Sequence, residues 1–97
     1  MRNNRELMGM FLAKVVGKVV ATTKDEGLNG KKILIVAPID MDGNISGKEF
    51  VSIDSVGAGI GDQILVTKGS VSTYAFADKN IPVDSAIVAI IDVIEKN

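Results

Sequence analysis

The sequence predicts an all-β fold, a single small barrel of five short strands with one short helical turn, and three observations carry that expectation. In the first regular segment, apolar and glycine positions recur at a period of two. The later apolar runs are short, rich in Val and Ile, and bounded by Gly, Pro, Asp and Asn. The chain has 97 residues, and a domain of that size buries only roughly 60 to 68% of its unfolded surface, which leaves room for one core and excludes a second.

Taken in order, residues 1–9 carry charges and amides without periodicity and read as a disordered N-terminal extension, so the folded domain is expected over 10–97. From Phe11 the odd positions Phe11, Ala13, Val15, Gly17, Val19 and Ala21 are apolar or glycine, while Lys14, Lys18 and Thr22 punctuate the even ones. That is a strand with one buried face. Thr23 to Lys32 gathers Lys24, Asp25, Glu26, Gly27, Asn29 and Gly30, which is loop chemistry. Ile33 to Ala37 is continuous, β-branched and uncharged, and it ends at Pro38. Its short length and branching favour a strand over a helix. Asp40 to Gly47 is a turn, Phe50 to Asp54 alternates again, and Gly57 to Asp62 is a glycine-dense bend leading to a strand at Ile64 to Thr67. Ser70 can cap a short helix over Val71 to Ala77, and Pro82 and Asp84 introduce a last apolar strand from Ala86 to Ile94.

Two of these strands, Ile33 to Ala37 and Ala86 to Ile91, lack polar alternation, which implies cover on both faces. A small barrel has one inside. Either both strands are central in a tightly closed barrel, or a neighbouring subunit shelters the outer face, and a single helical turn is too little cover for two strands. Homo-oligomerisation is the expectation, with Ile33, Ile35, Ala37, Ile87, Ala89 and Ile91 as the residues the neighbours cover. Burying an otherwise exposed Val or Ile contributes about 1.5 to 3 kcal/mol, enough for several per subunit to hold a permanent ring.

Composition narrows the function classes. There are 11 basic and 12 acidic residues, a net charge of −1 and 46% hydrophobic residues, with a mean hydropathy of +0.28, so a compact folded chain is expected. That balance gives no basic footprint for nucleic acid. Aromatics make up 4% of the chain, and Phe11, Phe50, Tyr74 and Phe76 are scattered along it, which argues against a base-stacking surface. The longest near-continuous apolar stretch, Ala86 to Ile91, is far below the ~18 to 20 residues of a membrane span. No membrane partner is expected, and a cytoplasmic address fits the absence of cysteine. With neither histidine nor cysteine, the usual general base, thiol nucleophile and zinc ligands are missing. The chain is not expected to be an enzyme or to carry a cofactor.

Three local motifs imitate chemistry. Asp40 to Phe50 resembles a calcium loop, but aligned on Gly43 its first ligand falls on Pro38 and strands flank it, so a hairpin turn is the better reading and no metal is expected. Gly57-Ala58-Gly59-Ile60-Gly61-Asp62 has G-x-G-x-G spacing and leads into a strand, not a helix. It fits a tight bend better than a phosphate cradle. The G-x-x-G-K-K run from Gly27 lacks the longer spacing and the Ser or Thr of a P-loop. Asp54, Asp62 and Asp84 each sit at a strand end, where a carboxylate most often caps a turn.

The ordered set of Gly17 to Lys24, Leu28 to Asp40, Asp54 to Asp62 with Ile64 to Ser70, and Pro82 to Asp92 resembles the EutN/CcmL family of microcompartment vertex proteins. The resemblance covers Met10 to about Val93. It implies a five-stranded barrel of oligonucleotide-binding (OB) fold type, assembled as a cyclic homopentamer that closes the vertices of a bacterial microcompartment shell in the cytoplasm. Hexameric shell proteins would form the flat facets around it. It also places Gly57, Gly59, Gly61, Asp62, Gly69 and Ser70 toward the ring axis or the subunit junctions. The family commonly follows that Gly-Ser with small residues and an arginine, whereas Val71, Ser72 and Thr73 stand here, which removes a positive charge. Two other classes stay open beside this one: an oligonucleotide-binding module, and a small-ligand or metal-binding regulator using the Asp40 to Glu49 turn.

Overall fold

The computed structural model describes residues 9–22, 28, 30–69 and 85–95. Five strands, β1 (Gly9–Val19), β2 (Lys32–Pro38), β3 (Phe50–Asp54), β4 (Gln63–Lys68) and β5 (Ser85–Ile90), close into one barrel in the order β1-β2-β3-β5-β4. All neighbouring pairs are antiparallel except β3 with β5. This is the Greek-key order of the OB-fold. No helix occurs among the described residues; the helical turn expected over 71–77 lies outside them, as do residues 1–8.

Strand alternation sorts the side chains. Ala13, Val15, Leu34, Val36, Ile64, Val66 and Ile87 turn inward and are buried, with Phe11 and Phe50 packed against them. Each fully buried Val or Ile in this core contributes about 1.5 to 3 kcal/mol relative to exposure. The eighth buried member of the core, Ala58, comes from the bend between β3 and β4, so that bend stoppers one end of the barrel. In the same interior Ser85 donates its hydroxyl to Ser52 at 3.0 Å, a pairing that satisfies two buried polar groups with each other.

Two bulges revise the expected alternation. The β1–β2 register slips between Val15 and Gly17, and the β4–β5 register slips at Val88, between Ala89 opposite Leu65 and Ile87 opposite Val66. An extra residue in one strand sends the next side chain to the other face. Ile87 therefore belongs to the core, whereas Ala89 faces outward; the two do not share a face as a period of two from Ile87 implied. Strand ends shift too. β1 starts at Gly9 and stops at Val19, leaving Ala21 exposed, and β5 stops at Ile90, well short of Ile94.

The Asp40 hairpin takes the turn form. Asp40 Oδ1 accepts the backbone N–H groups of Asp42 at 2.9 Å and Asn44 at 3.0 Å, and Gly43 adopts φ +89°. The N–H donated by Asn44 is the main cause holding the Asp40 carboxyl below its ordinary pKa. Ile39 and Ile45 then bridge across the hairpin. Gly47 lies so close to Pro38 that an added Cβ would meet Pro38 Cγ at 3.0 Å, which folds the hairpin back over the end of β2.

Candidate functional site

The outside of the barrel carries two separate apolar walls. On the first, formed by β1, β2 and β3, Val19 pairs with Ile33, Gly17 with Ile35, Ile35 with Val51, and Ile33 with Ile53. Paired residues share a face, so these side chains form one outward sheet surface. Gly17 has a packing reason: a Cβ there would sit 3.3 Å from Ile35 Cδ1, so its absence lets Ile35 lie across β1. Val51 is 53% exposed, and Ile33 and Ile35 remain half-buried. Ile53 is already covered by its own chain, packed with Ala86 and Leu28.

The second wall runs over β1, β4 and β5, where Met10 pairs with Thr67, Leu12 with Leu65, and Leu65 with Ala89. Met10 is 63% exposed, while Leu12, Leu65 and Ala89 are half-buried. The two walls lie to either side of β1, over the β2 side and the β4 side. Such an arrangement suits head-to-tail association, in which one surface of a copy meets a different surface of the next.

Of the residues expected under a neighbour, Ile33, Ile35 and Ala89 lie on these outer walls. Ala37 faces outward opposite Lys14 but is fully buried by its own chain. Ile91 lies beyond β5, half-buried, with its N–H donated to the Gln63 carbonyl at 2.8 Å. Leu12, Leu65 and Val51 were missing from that set. For Leu12 a signal existed: an apolar residue at an even position of a strand whose odd positions already fill the core.

The glycine bend is built around two carboxylates. Asp54, at the end of β3, is 1% exposed. Its Oδ1 accepts the N–H of Val56 at 3.1 Å, and its Oδ2 accepts those of Gly57 at 3.2 Å and Ala58 at 3.0 Å. Lys32 Nζ stands 3.6 Å from Asp54 Oδ2 and also donates to the Ala58 carbonyl. Three oriented N–H groups and one ammonium thus neutralise the buried charge and hold Ala58 in the barrel end. Asp62 closes the bend by accepting the Gly59 N–H at 2.8 Å. The backbone of Val15, beside the β1 bulge, holds the β4 end of the bend, donating to Asp62 O at 3.0 Å and accepting from Gly61 at 2.8 Å. Both carboxylates cap turns as their positions implied, while Asp84 lies outside the described residues.

Gly57 and Gly61 adopt φ +90° and +96°, and among the described residues nothing lies within 4 Å of an added Cβ at either. Their requirement is conformational, since no described residue approaches closely there. Gly69, φ +81°, ends β4, and Ser70 lies outside the described residues. The bend raises Val56 and Ile60 into solvent, Ile60 at 65% exposure.

Comparison with known proteins agrees with this geometry. The family model described as "Ethanolamine utilisation protein EutN/carboxysome" matches residues 10–92. The bacterial microcompartment shell vertex protein PduN of Salmonella typhimurium is 43% identical over 88 residues, spanning 86% of this chain and 96% of that protein. The carboxysome shell vertex protein CcmL of a Nostoc species is 44% identical over 86 residues, spanning 88% and 85%. Among solved structures, an ethanolamine utilization protein EutN superposes with a TM-score of 0.83 at 37% identity, covering 89% of this chain and 90% of that one. The GrpN pentameric microcompartment shell protein from Rhodospirillum rubrum does so with a TM-score of 0.79 at 37% identity, covering 90% and 99%. From Met10 onward, in sequence and in barrel topology, this chain belongs to the EutN/CcmL family.

Proposed function

We propose that this protein is a vertex protein of a bacterial microcompartment shell in the cytoplasm, five copies closing into a ring that caps a corner of the polyhedron. Relatives that span nearly the whole chain are named shell vertex proteins, and one is a pentamer in its solved structure. The observation that carries the reading at residue level is the pair of outer walls. Ile33, Ile35 and Val51 of one copy meet Met10, Leu12, Leu65 and Ala89 of the next, and five such contacts return to the start. A sheet of hexagons cannot close without pentagonal positions, so the ring supplies curvature that flat tiles lack. Hexameric shell proteins are its partners, abutting the rim, and the work is structural, not catalytic.

The OB-fold itself serves many functions, so the surface has to decide between them. In nucleic-acid-binding members the outer face of strands two and three presents stacking and basic groups. Here that face is Ile33, Ile35 and Val51, which suits a protein neighbour and not a phosphate backbone. Co-expression with hexameric shell proteins tests the role. Closed polyhedral shells should form with this chain present, and open or elongated ones without it; normal closure in its absence would refute the assignment.

A further inference from the structure

The two ends of the barrel differ. Ala58 stoppers one end, whereas at the other the inward-facing Phe11, Phe50 and Lys68 terminate the interior and open onto a groove of about 420 Å³. Phe11 and Phe50, far apart in sequence, bring their ring centroids to 5.5 Å with planes tilted by 53°. Pro38 and Ile39 extend this apolar floor. Lys68 places its Nζ 4.3 Å above the Phe50 ring, and Lys48 stands on the rim, delivered by the hairpin that Gly47 folds over Pro38. Among the described residues neither lysine forms an ion pair and no carboxylate lines the groove. In a chain of net charge −1, the described lining of this aromatic floor holds two cations and no acid, a local excess of one sign.

We infer that this barrel mouth is a binding site for a small amphipathic organic anion, a carboxylate with an apolar body. Barrel mouths are favoured ligand positions, and the volume falls within the range of about 300 to 1,000 Å³ typical of small-molecule sites. The apolar body lies on Phe11, Phe50 and Ile39, and the carboxylate takes charge-assisted hydrogen bonds from Lys48 and Lys68. Carboxylate binding draws Lys68 away from a ring contact of modest strength, so the exchange favours the anion. The site goes beyond the vertex role; Leu12 lines it and also belongs to the second outer wall, while Phe11, Phe50, Lys48 and Lys68 belong to neither wall.

The test titrates the intact oligomer with phenylacetate, benzyl alcohol, phenethylamine and inorganic phosphate, following amide chemical shifts. Phenylacetate should shift Phe11, Ile39 and Phe50 saturably, and the neutral alcohol should bind more weakly by at least about tenfold, the loss that even one of the two charge-assisted contacts would give. The amine and phosphate should bind more weakly still. Lys48→Gln and Lys68→Gln should each weaken phenylacetate binding several-fold. Lys48 is exposed, so its variant folds whatever happens at Lys68. Equal responses to acid, alcohol and amine would overturn the site, as would phosphate matching phenylacetate or phenylacetate shifts that persist in the double variant. Native mass spectrometry of the same samples reads the ring separately, so loss of this site and loss of the vertex reading are distinct results.

Discussion

Replacing Asp54 by Asn removes one oxygen acceptor and the negative charge while preserving shape, and the structure fixes what that should cost. In the native bend, two carboxylate oxygens accept three backbone N–H groups at 3.0 to 3.2 Å. An Asn oxygen placed at the Oδ2 position keeps Gly57 and Ala58 but turns its NH2 toward the Val56 N–H, donor against donor. Losing one such bond costs about 1 to 3 kcal/mol. The two survivors become neutral bonds, roughly half as strong as charge-assisted ones. Lys32 loses its counter-charge as well, but its side chain is 53% exposed, so that loss is at most about 1 kcal/mol. The total is about 2.5 to 7 kcal/mol, read as a lowered urea midpoint at unchanged slope. Asp62→Asn is the internal control, since Asp62 accepts a single N–H in a half-buried setting and should cost about 1 kcal/mol. In a double-mutant cycle, Lys32→Met and Asp54→Asn should couple by less than about 1 kcal/mol. An Asp54→Asn midpoint no lower than that of Asp62→Asn would refute the claim that this carboxylate organises the bend.

Gly61→Ala should destabilise by about 1 to 2 kcal/mol through backbone strain, because φ is +96° and no described residue lies within 4 Å of an added Cβ. Gly59→Ala, whose nearest atom is 4.0 Å away and which needs no positive φ, should be close to neutral in the same urea titration; equal losses at both positions would contradict this. Val51→Asp places a charge on the first outer wall at a site exposed in the single chain, so the barrel's far-ultraviolet dichroism should persist while light scattering shows a smaller species. A full-size assembly carrying Val51→Asp would remove that wall from the interface. The Asp40 carboxyl is held below its ordinary pKa mainly by the Asn44 N–H. Its contribution is therefore complete above the unfolded value of about 3.9 and is lost as pH falls through the folded value. The stability difference between wild type and Asp40→Ala, measured in urea, should be constant from pH 7 to 5 and shrink by pH 3; a difference unchanged at pH 3 would count against the carboxylate's role.

How much of this was legible in the sequence depends on the range of the forces involved. Strands and turns are local, so alternation placed β1 to within two residues at each end, and Asp40, Gly43, Asp54 and Asp62 took the turn roles their chemistry implied. Bulges are not local. The slip at Val88 is set by pairing with β4, and it moved Ile87 into the core against the expected alternation. Asp54 and Lys32 are neighbours only because β2 and β3 pair in that register. The Phe11 and Phe50 contact likewise depends on barrel closure; in the sequence those rings read as scattered. The second outer wall was overlooked because Leu12 and Leu65 belong to strands whose other face already supplied a sufficient core.

Native mass spectrometry of the purified protein across a wide dilution range decides whether the outer walls build a ring. Two apolar walls joined head to tail predict a five-subunit species that persists on dilution, with wall variants shifting it toward monomer. A clean monomer at all concentrations would rule out the ring, because Ile35, Val51, Leu12 and Leu65 would then have no neighbour to cover them.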